Sequence, residues 1–409
     1  MNKLSSWVLV ILALTVASCS SSTTNSTTSS SVVQSTSSTS VIAATGSSFK
    51  IVYQRQAGGS TTDIFDGLSC ATTSSCQASG GSITTNFLLG TVSGGVSWTE
   101  ESVPPFLVKG VGSGGDNDGI PGISCPSALI CYAITQRDYN VNVGNTSSSG
   151  LGGAVIATKD GGTTWTWQST IPYTNFYNYI SCPSTTVCYG VGEISGGNDD
   201  NGFVAATNNG VTWKKLKTPS NVPTLNGISC PTTLVCVATG FFMSSGSSQA
   251  IFTTDGGVTW QTSKFLDKIN SLQVVSCPSV LVCYALASPG APSNANNQSS
   301  FNLIKSTDGG ATFTSTYTFS SSENPLSLDC PSISVCAVGG FDTSSGTQGS
   351  ILISTNGGKS FSQDSVPSQV GNIMRVSCPS PTKCFAIGGS NKTANSAPGN
   401  FDKGYILSN

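Results

Sequence analysis

The chain's 409 residues include 17 Lys and Arg, 19 Asp and Glu and no histidine, and its charged fraction of 9% lies well below the ~25% usual for soluble domains. A net charge of −2 with no basic run argues against a nucleic-acid partner, because phosphate binding needs clustered cations. The lack of histidine excludes Ser-His-Asp and Cys-His nucleophile systems and His-bearing zinc sites. It also leaves few native ion pairs to lose on acidification, so the unfolding temperature should change little between neutral and acid pH.

Residues 1–19, MNKLSSWVLVILALTVASC, read as a targeting segment. Lys3 precedes the apolar run Trp7–Val16, whose ten residues are too few to span a bilayer. Val16-Ala17-Ser18-Cys19 resembles a bacterial lipobox. That resemblance implies cleavage before Cys19, diacylation of its thiol, and anchoring at the outer face of a bacterial cell envelope. Cys19 is the one cysteine of fifteen outside the repeats described next. Residues 20–48, mostly Ser and Thr at first, cannot bury a core and read as a flexible spacer.

From residue 49 to 409 fourteen cysteines form seven copies of Cys-x5-Cys. The pairs are Cys70 with Cys76, Cys125 with Cys131, Cys182 with Cys188, Cys230 with Cys236, Cys277 with Cys283, Cys330 with Cys336 and Cys378 with Cys384. First cysteines recur at 55, 57, 48, 47, 53 and 48 residues, and a period near fifty means a propeller, solenoid or array. In an exported chain such pairs read as disulfides, whereas zinc would want Cys-x2-Cys spacing or histidine partners. Each bridge would close a short hairpin loop and contribute about 2 kcal/mol on the chain-entropy account. Each repeat reads as four short strands. The first ends at the first cysteine (Tyr179–Cys182), and the second starts at the next (Cys188–Val191). The third precedes a glycine-rich turn (Ala154–Thr158), and the fourth follows it (Thr164–Gln168). No stretch reads as a helix, and the fold class is all-β.

The glycine-rich turn recurs as TKDGGTTW (Thr158–Trp165), TTDGGVTW (Thr253–Trp260) and STDGGATF (Ser306–Phe313). Looser copies are STNGGKSF (Ser354–Phe361), ATNNGVTW (Ala206–Trp213) and TVSGGVSW (Thr91–Trp98). The motif resembles the Asp-box, or BNR, repeat of sialidase-like propellers and of the propellers that assist photosystem II assembly. That resemblance implies a seven-bladed β-propeller in which Asp160, Asp255 and Asp308 are structural turn residues. Asn208, Asn356 and Ser93 stand at the aspartate position in other copies, a change that a turn tolerates and a general acid would not. Six turns accompany seven cysteine pairs because one repeat is cut across the termini. Gly46–Tyr53 reads as the end of a turn and its following strand, and Gly404–Asn409 as the strand before it. The N-terminal strand should therefore complete the last blade, which removes free sheet edges.

In such propellers the cysteine and glycine turns share one rim, and the longer loops share the other, the upper rim. Function on a rigid scaffold favours those loops. The loop 135–153 carries Arg137, Asp138 and Tyr139, and the loop 171–179 carries Tyr173, Phe176 and Tyr177. Aromatic faces beside amides and a charged pair suit an extracellular glycan or protein. The competing reading, in which these aromatics seal the seam between blades 2 and 3, carries more weight on packing grounds. Gly115–Gly119 and Asn198–Gly202 are oxygen-rich but lack a full calcium-loop pattern and read as plain turns. No catalytic residue, metal or cofactor is expected. Sialidases hold their substrate with three arginines, and Arg55, Arg137 and Arg375 are the only three in this chain. Arg55 is expected on an outer strand, away from the other two. A carboxylate-pair glycosidase would draw on Asp63, Asp66, Asp116, Asp118, Asp138, Asp199 and Asp200. The preferred expectation is a surface-tethered, monomeric, non-catalytic binding propeller. A sialidase-like glycoside hydrolase and an assembly factor for membrane protein complexes are the alternatives.

Overall fold

Strand-forming runs of alternating β-branched and small residues, punctuated by Pro-Ser and Gly-Gly turns, fold into seven antiparallel sheets set around an axis. The computed structural model describes residues 48–56, 64–81, 86–104, 120–135, 138–143, 146–151, 153–170, 176–194, 201–242, 245, 247–267, 269, 271–288, 300–344, 346–390 and 403–409. The targeting segment, Cys19 and nearly all of the Ser/Thr-rich spacer lie outside them. Blade 1 comprises Ile64–Cys70, Cys76–Gly81, Asn86–Thr91 and Thr99–Glu101, from the axis outward. Blades 2 to 6 repeat that order, with innermost strands Gly122–Ser124, Phe176–Ser181, Thr224–Ser229, Leu272–Ser276 and Glu323–Asp329. In blade 5 a short fifth strand, Lys264–Phe265, runs parallel to the start of the outer strand Thr312–Thr318. In blade 2 the loop expected after Thr135 contains a two-stranded hairpin, Asp138–Val143 with Thr146–Leu151.

Blade 7 closes the ring as expected from the split repeat. Its three inner strands, Val370–Ser380, Lys383–Ser390 and Lys403–Ser408, come from the C-terminus, and Lys50–Gln56 from the N-terminus is the outer strand. Lys50 pairs with Ser408 and Gln56 with Lys403.

The apolar cores lie between blades rather than within them. Seven clusters of buried residues fill the seven seams, and each takes in the aromatic that follows one glycine-rich turn. Trp165 fills the seam of blades 1 and 2, and Trp213 that of blades 2 and 3. In the last seam the role falls to Phe49, 2% exposed, which confirms the split repeat. Trp165 also donates from Nε1 to Glu101 Oε2 (2.8 Å), and Gln77 donates to Oε1 of the same carboxylate (2.9 Å). Gly162 packs directly under Glu101 with φ 97°, so a side chain there would meet both steric and backbone penalties.

All seven cysteine pairs form disulfides, each fastening the first two strands of its blade at the same end. Cys70 bonds Cys76, Cys125 bonds Cys131, Cys182 bonds Cys188 and Cys230 bonds Cys236. Cys277 bonds Cys283, Cys330 bonds Cys336 and Cys378 bonds Cys384. The second cysteine of every pair lies at the start of a strand that faces the seams on both sides. Cys76, Cys131, Cys188, Cys236, Cys283, Cys336 and Cys384 are accordingly buried, none more than 3% exposed. These sulfurs are part of the packed core and offer no surface to a ligand, so the cysteine series is a set of structural cross-links and not a functional site.

A second tie runs around the whole ring. The residue before each first cysteine accepts a hydrogen bond from the first-cysteine amide of the next blade. Ser69 accepts from Cys125 N (3.0 Å), Ser124 from Cys182 (3.0 Å) and Ser181 from Cys230 (3.1 Å). Ser229 accepts from Cys277 (2.9 Å) and Ser276 from Cys330 (3.0 Å). Asp329 replaces serine in blade 6 and accepts from Cys378 N (2.6 Å), and Ser377 closes the circle by accepting from Cys70 N (3.1 Å).

Replacing Ser181 with Ala strands the Cys230 amide. We expect unfolding free energy to fall by about 1–3 kcal/mol, measured by urea titration under non-reducing conditions. Ser181→Thr, which keeps the hydroxyl, should restore much of it. An unchanged midpoint for Ser181→Ala would show that the ring bond contributes nothing.

Candidate functional site

Six of the seven innermost strands carry a register shift at one position, four residues before the first cysteine. The extra residues are Asp66, Asn178, Asn226, Gln273, Leu326 and Met374. In blade 2 Pro121 holds the equivalent place, just ahead of the pairing that starts at Gly122. A bulge leaves its extra residue outside the ladder and re-aims it. Pro121, Asn178, Asn226, Gln273 and Leu326 accordingly line an axial cavity of ≈ 330 Å³, together with Tyr179, Phe241, Val274 and Arg375. Phe241 ends the second strand of blade 4, so the cavity reaches toward the upper rim.

The lining is rich in amides. Asn178 Nδ2 donates to Leu225 O (3.0 Å) and to Asn226 Oδ1 (3.2 Å), linking the bulges of blades 3 and 4. One cation stands among them. Arg375 occupies the position that is glycine in blades 1, 2 and 4, and its guanidinium lies 5.7 Å from the ring centre of Tyr179 in blade 3. Its hydrogen bond to Met374 O is long, at 3.4 Å, and no described carboxylate lies within ion-pair distance of it. Burial raises the Tyr179 phenol, against the pull of the Arg375 cation, so the tyrosine remains neutral. Asp66 is half-buried, and lost hydration pushes its carboxyl up to about 7, with Arg375 opposing the rise. Asp329, in the seam ring, is likewise pushed up to about 6 by burial despite the hydrogen bonds from Cys378, Cys330 and Ser276.

The aspartates of the glycine-rich turns are structural. Asp160 accepts from Thr158 Oγ1 (2.8 Å), Thr164 N (2.9 Å) and Thr164 Oγ1 (2.6 Å), and Asp255 and Asp308 repeat the pattern. The Thr259 hydroxyl and amide hold Asp255 down at about 2, and Thr164 likewise lowers Asp160. Such a carboxylate has no proton to give near neutrality. In blade 3 the turn is one residue shorter than the sequence motif implies. Asn209, not Asn208, takes the aspartate place, accepting from Thr207 Oγ1 (3.1 Å) and Thr212 N (2.9 Å).

Of the upper-rim candidates, Tyr177 is fully buried. Its ring is clasped between Gly153 and Gly190 and meets Phe203 edge-on at 5.2 Å. It belongs to the core of the blade 2–3 seam and has no face free for stacking on a ligand. Arg137 and Tyr173 lie outside the described residues, as do the side chains of Asp138, Tyr139 and Phe176. The two described arginines do not gather. Arg55, on the outer strand of blade 7, pairs with Glu100 of blade 1 at 3.0 Å, far from the axis that Arg375 lines. Among the described residues, no group of three His, Cys, Asp or Glu is placed to hold a metal ion. Sequence reasoning missed the axial constellation. Aligning the repeats on the first cysteine brings these residues to one position, the fourth before it, with an amide in three of the seven repeats.

No protein-family model matches the chain, and no curated protein matches it. Solved structures of similar fold include two that superpose over most of the chain. "YCF48 bound to D1 peptide" superposes with a TM-score of 0.55 at 14% identity, covering 87% of this chain and 94% of that one. YCF48 from Cyanidioschyzon merolae gives 0.54 at 12% identity, covering 87% and 98%. The likeness is one of fold alone.

The pH response follows from these carboxyls. Between the ordinary value of 3.8 and about 7, the folded chain keeps a proton on Asp66 that the unfolded chain has released. Asp329 behaves alike up to about 6. Stability from both is therefore greatest in mild acid and is lost as pH rises through that window. The turn aspartates have the opposite sign: their contribution is intact above 3.8 and lost as pH falls toward about 2. The flat response expected from composition becomes a rise in melting temperature from about pH 7 down to about pH 4.5, then a fall. Asp66→Asn should flatten the rise in calorimetry. A monotonic fall from pH 7 would contradict the assignment.

Proposed function

We propose that this chain is a surface-tethered, non-catalytic propeller that captures an extended protein segment in its axial cavity. The observation that carries this reading is the lining itself. Asn178, Asn226 and Gln273 offer donors and acceptors suited to a peptide backbone, and Arg375 offers a cation beyond ion-pair distance of every described carboxylate, with Asp66 acting on it only through space. The volume falls at the small end of ligand pockets, enough for a few residues of an extended chain. That a propeller of similar fold was solved as "YCF48 bound to D1 peptide" supports a peptide ligand and, more distantly, the assembly-factor alternative. A glycoside hydrolase needs two flanking carboxyl groups, and the described lining contains none. The glycan alternative would rest on Arg137, Asp138, Tyr139, Tyr173 and Phe176 of the upper rim, without Tyr177.

The tether would be a diacylated Cys19 at the outer face of a bacterial envelope, followed by the spacer 20–48. Seven disulfides fit the oxidising compartment that this implies.

Two measurements test the reading. Panning a random peptide library on the native protein should enrich binders that Arg375→Gln weakens by roughly ten- to a hundredfold, the equivalent of ~1.5–3 kcal/mol for a hydrogen bond to a charged group. If enrichment is the same on wild type and Arg375→Gln, the cavity is not the site. Turnover of fluorogenic glycosides abolished by Asp66→Asn would favour the enzyme. Separately, a fatty-acid analogue fed to cells should label wild type and not Cys19→Ala, and an unlabelled wild type would refute the anchor.

A further inference from the structure

The rim opposite the cavity mouth carries a feature that neither blade packing nor peptide capture uses. Ten large aliphatic side chains among the described residues are exposed, and all but Leu266 sit in the cysteine turns and the glycine-rich turns of this one rim. Leu129, Leu234 and Leu281 stand at the same place in three cysteine turns, 61%, 56% and 58% exposed, and Ile333 stands one residue earlier in a fourth. Val258 (77% exposed) joins Leu234 on blade 4 from the neighbouring glycine-rich turn. Scattered exposed aliphatics need no explanation, but their gathering on one face does.

The turns that hold them are built for an apolar contact. Each loop is closed by a disulfide at its base. The backbone at the tip is already satisfied from within the blade: Leu129 O, Leu234 O and Leu281 O accept from Gly161 N, Gly256 N and Gly309 N, each at 2.9 Å. The nearby carboxylates of Asp160, Asp255 and Asp308 are also bonded within their turns. A tip whose polar groups have partners can enter a dry interface without leaving a donor or acceptor bare.

The chain's own path says which interface. Phe49 occupies the place of the aromatic that follows a glycine-rich turn, and Lys50 pairs with Ser408 at the end of the third strand of blade 7. The described chain therefore starts at this same rim, and the apolar run Trp7–Val16 and Cys19 precede that point in sequence. A Ser/Thr spacer of 29 residues, 20–48, spans roughly 30 Å on a flexible-coil estimate, which holds the propeller near a bilayer without orienting it.

We propose that the disulfide-bearing rim is a membrane-contacting face, its aliphatic tips seated at the lipid–water interface. The inference rests on the tether reading for proximity and adds the orientation. It turns the cavity mouth away from the bilayer, toward incoming partners.

The test is hydroxyl-radical footprinting of the full chain, as processed by its host, on vesicles of phosphatidylethanolamine and phosphatidylglycerol. Oxidation of Leu129, Leu234 and Leu281 should fall several-fold relative to Leu266, which lies beside the outer strand of blade 5, once each is normalised to unfolded protein. Combining Leu129→Asn, Leu234→Asn and Leu281→Asn, all at exposed positions, should remove the protection of Ile333 and Val258 while the melting temperature holds. Tips as reactive as Leu266 would overturn the proposal. So would protection that appears only when membrane proteins are added to the vesicles, since the partner would then be protein. The mass of the N-terminal peptide separates the two readings. Protected tips with unmodified Cys19 defeat the anchor alone, and lipidated Cys19 with bare tips defeats the rim alone.

Discussion

Everything in this propeller depends on a buried amide that its own sheet does not satisfy. The N–H of each first cysteine points across the seam, and the residue before the previous blade's first cysteine supplies the acceptor. Burying that donor without a partner is costly, so the bond fixes the height and pitch at which successive blades meet. Apolar clusters then fill whatever space that pitch leaves, which is why they fall between sheets. Blade 6 satisfies the same demand with a carboxylate, Asp329, and the bond there is the shortest of the seven. The geometry tolerates an acid in place of a hydroxyl because three donors converge on it.

With the seams holding the ring, the axis is released from a packing role. Residues on the innermost strands that would clash in a globular core can be amides, a guanidinium or a proline. Bulges in blades 3 to 6, with Pro121 in blade 2, push one such residue from each of those blades into the lumen at a common level. The cavity is therefore a by-product of ring architecture, and its chemistry changes from blade to blade. Tyr179 and Arg375 show this: they face one another from blades 3 and 7 at a level where three other blades carry only glycine.

Blade number, closure and disulfide pairing were legible in the sequence because each rests on a local signal repeated six or seven times. Cysteine spacing, Pro-Ser turns and the aromatic after each glycine pair survive divergence, and Phe49 can be assigned from its neighbours alone. Spacing does not show, however, how deeply the sulfurs of each bridge sit. The second cysteines, such as Cys131 and Cys236, sink into the seams because the strands they open are covered on both faces. The axial residues carry no repeated signature. Asp66, Asn178 and Gln273 share a position and little chemistry, and a bulge leaves no mark on composition. Tyr177 illustrates the opposite difficulty. A tyrosine among asparagines reads equally as a stacking platform or as a seal, and what decides is Gly190 on the adjacent strand, whose missing side chain admits the ring. Asn209 escapes the motif for a simpler reason, a turn shortened by one residue that leaves the flanking pattern intact.

The split last blade also decides how the molecule bears force. A pull transmitted through residues ahead of Ser48 reaches the ring at the outermost strand, which has one neighbour along its length. Load arrives at the Lys50 end of that strand, where the pairs with Ser408 and Leu407 would open in succession rather than together. Before any of them yields, Phe49 must leave its seam, where it is 2% exposed. That single ring is a mechanical latch: while it stays buried, drag on the propeller is borne by the packed seam, and once it is drawn out the strand can peel. At the far end of the strand Arg55 still grips Glu100 of blade 1, so a partly peeled ring would retain one polar contact from which to reseal.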